Sequence, residues 1–110
     1  MVVRMNLEKL KEKLRKYKKE DIMITDHAQI QAYIRGINLE EVKNNIINPE
    51  KLVYYKEQES KKSNEEKYDC YFAYAEDFYQ RYIIITNGKL IIVTIISINR
   101  RWQHLVEKGK

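Results

Sequence analysis

Two β-branched runs flank Asn87-Gly88, and this arrangement constrains the fold more than any other stretch of the chain. FYQRYIIIT (78–86) and LIIVTIISI (90–98) are rich in residues that suit a pleated, half-buried surface. Asn and Gly both tolerate the positive φ angles of a tight two-strand turn. The pattern predicts a β-hairpin whose second arm, the more β-branched, is the central strand of a sheet. Two more strands are predicted upstream, KLVYYKEQ (51–58) and Tyr68–Ala75, the latter with Tyr68, Cys70, Phe72 and Tyr74 alternating to one side. ESKKSNEEK between them has no apolar residue and reads as a loop, and Glu76-Asp77 reads as a turn.

The first half of the chain has helical periodicity instead. Asn6 caps a predicted helix whose Leu7, Leu10, Leu14 and Tyr17 form one narrow stripe, with its lysines crowding toward the C-terminal end and a stop near Glu20-Asp21. Ile22–Ile24 is a short extended segment. Asp26, or alternatively Thr25, then caps a second helix that Gly36 ends, and Asn38 caps a third that buries Leu39, Val42 and Ile46 before Pro49. At roughly 100° per residue, Ile30, Tyr33, Ile34 and Ile37 form the predicted buried stripe of the second helix. The expected architecture is α+β, with N-terminal helices packed on one face of a four-stranded antiparallel β-meander. It is read as a single domain over 1–110, with a basic N-terminal helix (1–20), a core (22–100) and a basic tail (101–110).

Charge and composition narrow the function. The net charge of +5 is concentrated in residues 1–20, which hold eight Lys/Arg against three Asp/Glu, while residues 21–110 balance. The tail is basic again through Arg100, Arg101, Lys108 and Lys110. Two basic ends suit an anionic partner, nucleic acid or an acidic protein; the alternative is a lysine-rich solvated helix. No apolar run approaches the ~20 residues that span a bilayer, and the first ten residues lack a signal-peptide core, so no membrane and a cytoplasmic location are expected. A single cysteine excludes an internal disulfide, and Cys70 reads as a small buried residue. Two histidines, no paired carboxylates at useful spacing and no Gly-rich phosphate loop leave no expected metal site or cofactor.

Two clusters carry chemistry. In HAQIQAYIRGI (27–37), His27, Gln31 and Arg35 recur every four residues and form a polar row on the border of the second helix's core stripe. The helix N-terminus favours a neutral His27 imidazole, which can act as a base; the alternative is a border histidine held by hydrogen bonds. In RRWQHL, helical spacing brings Arg100 and Arg101 close to His104, beside the only tryptophan, Trp102. A Trp among arginines can stack on a nucleobase while the arginines hold phosphate, or it can dock the tail on the sheet.

His27, Ala28, Arg35, Gly36, Ile37, Glu40, Glu41 and Val42, followed by Asn48-Pro49, Arg81 and the NGKLIIVTII hairpin, resemble a family of small prokaryotic domains grouped with RelE- and BrnT-like toxins. The resemblance covers about residues 23–100 and implies a RelE-like fold. It also implies action on RNA without metal, through basic and tyrosine side chains. One departure is that the family carries Arg where this chain has Gln31. The resulting expectation is a toxin-type protein acting on RNA, with metal-independent endoribonuclease activity or, alternatively, non-catalytic nucleic-acid or protein binding. For cleavage, His27 is the candidate base, and Arg35, Arg81 and Arg100 would stabilise charge on the phosphate. Tyr82 or His104 would protonate the leaving oxygen, and Gln31, Arg101 and Trp102 would contact RNA. Expected partners are RNA or the ribosome, an antitoxin-type protein, or a second copy of the chain.

Overall fold

The computed structural model describes residues 5–59, 64–75 and 78–99. Helix α1 (Leu7–Arg15) begins where the Asn6 side chain accepts the Lys9 N–H at 2.9 Å, a standard satisfaction of an orphan helix donor. It ends at Arg15, short of the predicted Glu20-Asp21, and a separate 3-10 turn covers Lys19–Asp21. Leu10 and Leu14 are fully buried, while Arg15, Lys16, Lys18 and Lys19 face solvent.

Ile22–Ile24 is a strand, β1, and this is the main departure from the expected architecture. It pairs parallel with the last strand, β5 (Leu90–Asn99), through Ile22–Leu90, Met23–Ile91 and Ile24–Ile92. Three residues give too little alternation to be read as a strand from sequence; the pairing is created by a distant partner. Helices α2 (Asp26–Ile34) and α3 (Leu39–Ile47) follow, then β2 (Leu52–Gln58), β3 (Glu66–Ala75) and β4 (Phe78–Thr86). The described strands form one mixed five-stranded sheet in the order β1-β5-β4-β3-β2. The α+β class and the antiparallel meander of β2 to β5 are therefore present. The four-stranded, purely antiparallel sheet is corrected to five strands with one parallel pair, and β4 rather than β5 is central.

Local chemistry explains the boundaries. Thr25, not Asp26, caps α2, its hydroxyl accepting the Ala28 N–H at 3.2 Å. Gly36 has φ +66, the left-handed conformation that lets the chain leave a helix without a Cβ clash. Asn38 caps α3 through bonds from the Glu40 and Glu41 N–H groups at 2.8 and 3.3 Å.

Two of the sheet's three register shifts decide which side chains face the core in β2 and β5. Ile83 pairs with Thr94 but Ile84 with Ile92, so β5 has one extra residue at Val93. Ile92 and Ile95 both become fully buried as a result. The same device at Val53 puts Leu52 on the core face and Tyr54 on the opposite one. The core joins Leu10 and Leu14 of α1 and Val42 and Ile46 of α3 to Tyr68, Cys70, Phe72, Tyr82 and Ile84 of the sheet. Burial pushes the Cys70 thiol up, so it is the inert core residue the sequence suggested. No helix among the described residues is long and apolar enough to cross a membrane.

The edge of α1 is tied to β3 by Glu66, which accepts from the Tyr68 hydroxyl and lies 2.9 Å from the Lys13 ammonium. These partners, the Tyr68 hydrogen bond foremost, hold the Glu66 carboxyl below its ordinary value of 4.5. A carboxyl depressed in the folded state stabilises above its unfolded value, and the contribution is lost as pH falls through the folded one. Glu66→Gln is therefore expected to flatten the acid limb. Urea midpoints measured between about pH 5 and pH 3 should fall less in the variant than in the wild type. Parallel acid limbs would show the contact to be energetically neutral.

Candidate nucleic-acid interface

The helices α1 and α3 cover one face of the sheet. Asn45 of α3 reaches that face directly, its amide donating to the Tyr82 hydroxyl at 2.9 Å. The opposite face is left without a helix among the described residues. Its side chains stand in transverse rows fixed by strand register. Tyr54, Tyr71, Arg81 and Ile96 form one row, and Lys56, Asp69, Ile83 and Thr94 the next. Gln58, Lys67, Ile85, Ile91 and Met23 form a third.

The polar half of this face is organised around Arg81. Its Nε and Nη2 each donate to an Asp69 carboxylate oxygen at 2.6 Å, a bidentate pair. Asp69 is only 2% exposed and Arg81 28%. The guanidinium carbon also lies 5.5 Å from the centroid of the Tyr71 ring. Tyr71 in turn meets Tyr54 at 5.3 Å between centroids, tilted by 60°. Burial, then the Asp69 charge, push the Tyr71 hydroxyl up, so it stays a neutral phenol. Tyr54 is half exposed and Lys56 exposed, while Lys67 is partly covered. The arrangement is an aromatic step with flanking cations and one internally neutralised ion pair.

The sequence-predicted residues fall in three places. Arg81 is on this face. Tyr82, its neighbour along the strand, points the other way: it is fully buried, accepts from Asn45 and donates to Gln80. Burial raises the Tyr82 hydroxyl far above its ordinary value, and its proton is committed to Gln80. That hydroxyl is part of the core and not within reach of a ligand on the Arg81 side.

The second group lies on α2. His27 and Arg35 are both exposed, at opposite ends of the helix, about 12 Å apart along its axis. Arg35 donates from Nη1 to the Gln31 carbonyl at 3.2 Å, closing the end of its own helix. Gln31 is turned inward, and its Oε1 accepts the Ile95 N–H of β5 at 2.9 Å. The three residues therefore do not form one ligand-facing row. The helix itself is rotated relative to the expected stripe. Ala28 and Ala32 are fully buried, whereas Ile30, Tyr33 and Ile34 are 59%, 87% and 72% exposed. The reason is distance: small side chains let α2 lie close enough to β5 for a glutamine to reach strand backbone, and a stripe of Ile and Tyr would hold it away. The third group, Arg100, Arg101, Trp102 and His104, lies outside the described residues.

Sequence reading missed Tyr54, Lys56, Lys67, Asp69 and Tyr71. A signal for the β3 residues was present. If Tyr68, Cys70 and Phe72 face the core, then Lys67, Asp69 and Tyr71 face the other way, but their partners depend on the registers of β3 with β4 and with β2. Tyr54 depends on the bulge at Val53, which has no sequence mark. No cluster of His, Cys, Asp and Glu able to hold a metal occurs among the described residues.

The chain matches no protein-family model, no curated protein and no solved structure. The RelE- and BrnT-like pattern therefore rests on its own residues, and several of these have roles in the fold. Gly36 supplies a positive φ, Ala28 a close approach and the Glu40–Glu41 pair the capped first turn of α3.

Proposed function

We propose that this protein acts on RNA as a toxin-type binding protein of the RelE/BrnT-like kind, and that it takes single-stranded RNA across the open face of its sheet. The observation that carries this reading is the Tyr54–Tyr71–Arg81 row with Lys56 and Lys67 in the adjoining rows. An unpaired base needs an aromatic surface to stack on, and Tyr54 offers one at a half-exposed position. Arg81 uses two of its five N–H groups on Asp69, which leaves donors free for a phosphate or base edge. Its charge is balanced by Asp69, so long-range attraction comes from Lys56 and Lys67, with the basic end of α1 at a distance.

The test is fluorescence anisotropy of a labelled single-stranded oligoribonucleotide at low salt. Tyr54→Ala should weaken binding about tenfold, the loss of one stacked base. Lys56→Ala and Lys67→Ala should each lower the salt dependence by about one phosphate contact. All three positions have side chains reaching the surface, so the variants should fold. Binding that is absent at low salt, or indifferent to Tyr54→Ala, overturns the reading.

A second reading, metal-independent RNA cleavage with His27 as base, is favoured by the exposure of both His27 and Arg35. It requires an arginine from outside α2 to complete the site, with Arg100 as the candidate. Discrete RNA fragments formed in EDTA, and lost in His27→Ala, would support cleavage. Fragments that persist in His27→Ala would remove His27 from the chemistry.

A further inference from the structure

A guanidinium has more than one edge that can meet a pair of acceptors. In Arg81 the edge formed by Nε and Nη2 is closed by Asp69, whose two carboxylate oxygens accept at 2.6 Å. The outer edge, formed by Nη1 and the second N–H of Nη2, has no partner among the described residues. The buried unpartnered side-chain atoms among those residues are on Glu41 and Thr86, so Nη1 is open to solvent. We propose that this outer edge selects guanine, reading the O6 and N7 acceptors of a base that stacks on Tyr54. The assignment rests on RNA lying across the open face and adds a base preference to it.

Position supports this ligand. Tyr54, Tyr71 and Arg81 stand in one row across three strands. The Tyr54 ring lies 5.3 Å from the Tyr71 ring, and the Arg81 guanidinium carbon lies 5.5 Å from that same ring. The aromatic step and the free donors are therefore neighbours on one side of the sheet, close enough for a single base to meet both. The half-exposed Tyr54 supplies the stacking surface.

Charge decides between a base edge and a phosphate. Arg81 is already paired with a carboxylate that is 2% exposed, so the pair as a whole is neutral. A phosphate brought to the outer edge would meet the Asp69 charge behind the guanidinium, whereas a neutral edge with two acceptors meets no such repulsion. Asp69 also holds the guanidinium in one plane, so the donors are set before the base arrives. Lys56 and Lys67 in the adjoining rows remain for the phosphates. Unpaired RNA bases are open to reading on this edge. Guanine presents adjacent O6 and N7 acceptors, the commonest specific partners of an arginine, and adenine puts an amino donor where guanine has O6. Uracil has no two adjacent acceptors. Cytosine has them at O2 and N3, on a smaller ring that stacks less well.

The test is fluorescence anisotropy at low salt with labelled oligouridylates carrying guanine, adenine, cytosine or uracil at one central position. The guanine oligomer should bind about tenfold tighter than the other three. Two analogues at that position locate the contact with the protein unaltered. 7-Deazaguanine, which lacks the N7 acceptor, should lose most of the preference. Hypoxanthine, which keeps O6 and N7 but lacks the 2-amino group, should retain it. Arg81→Lys keeps a cation beside Asp69 but removes the planar donor pair. Its guanine-to-adenine affinity ratio should fall to about one, and this ratio does not depend on how much of the protein is folded. Oligomers that bind alike, or cytosine bound as tightly as guanine, overturn the guanine assignment and leave RNA binding standing. A preference that survives 7-deazaguanine, or is lost with hypoxanthine, places the contact on another edge of the base and equally overturns it. No binding by any oligomer overturns both.

Discussion

Arg81→Met is expected to lower stability by about 2–3 kcal/mol, whereas the double substitution Asp69→Leu with Arg81→Met should restore it to near the wild-type value. The asymmetry follows from burial. Asp69 is 2% exposed and depends on Arg81 for two hydrogen bonds. Removing the guanidinium leaves a carboxylate that water barely reaches, a penalty of about 3–5 kcal/mol for a fully buried pair. Arg81 is 28% exposed, so water recovers part of that cost. Replacing both partners with apolar side chains removes the penalty with its cause, and the neighbouring Ile83 and Ile96 offer a compatible surface. For a domain of this size the single variant should melt roughly 10–20 °C lower. Denaturant midpoints of the two single variants and the double complete the cycle. A double variant as unstable as Arg81→Met alone would mean that the pair contributes through geometry and not through charge burial.

This has a bearing on function. Loss of RNA binding in an Arg81 variant would not separate a lost phosphate contact from a loosened sheet. Tyr54 and Lys56 are the informative positions, because their side chains are open to solvent and no described ion pair depends on them. Arg81 earns a structural role first, and any ligand contact is made with the donors that Asp69 leaves free.

The parts of the fold that follow local rules were legible. The hairpin around Asn87-Gly88, the Asn6 and Asn38 caps, Gly36 at positive φ and the meander from β2 to β5 each depend on a few neighbouring residues, although only Gly88, not Asn87, takes a positive φ and the hairpin loop runs over Asn87 to Lys89. What was not legible depends on partners far along the chain. Ile22–Ile24 is a strand only because Leu90–Ile92 lies beside it. The orientation of α2 was misread for a related reason. Periodicity identifies stripes, and this helix has two: a large one (Ile30, Tyr33, Ile34) and a small one (Ala28, Ala32). Hydrophobicity favours burying the first, but the hydrogen-bonding need of the β5 edge brings the second inward. For the candidate interface, Arg81 was named from sequence, while its partner Asp69 and the tyrosines needed the register across three strands.

Gln31→Arg is the second substitution with a large expected effect, and it reinterprets the one position where the chain departs from the pattern it resembles. Read from sequence, Gln31 is a weakened ligand contact in place of a charged one. In the fold it continues the sheet edge. Strand β1 covers Leu90–Ile92, Thr25 donates to the Ile92 carbonyl, and beyond that point the edge is covered by α2, where Gln31 accepts the Ile95 N–H at 2.9 Å. A strand edge left with unpaired backbone donors is costly when buried and prone to adventitious pairing when exposed. Arginine has no acceptor and cannot replace the Gln31 carbonyl oxygen. It also needs room that the Ala28–Ala32 contact does not provide. Gln31→Arg should therefore cost about 1–3 kcal/mol, the price of an unsatisfied donor at a half-buried site. Gln31→Glu, which retains an acceptor at the same reach, should recover much of that loss above the carboxylate range. Amide hydrogen exchange is the sharper measurement: Ile95 should exchange faster in Gln31→Arg and remain protected in Gln31→Glu, while the β3–β4 amides change little. Equal protection of Ile95 in all three proteins would show that another acceptor serves this edge, and would return Gln31 to the list of surface groups free to meet a ligand.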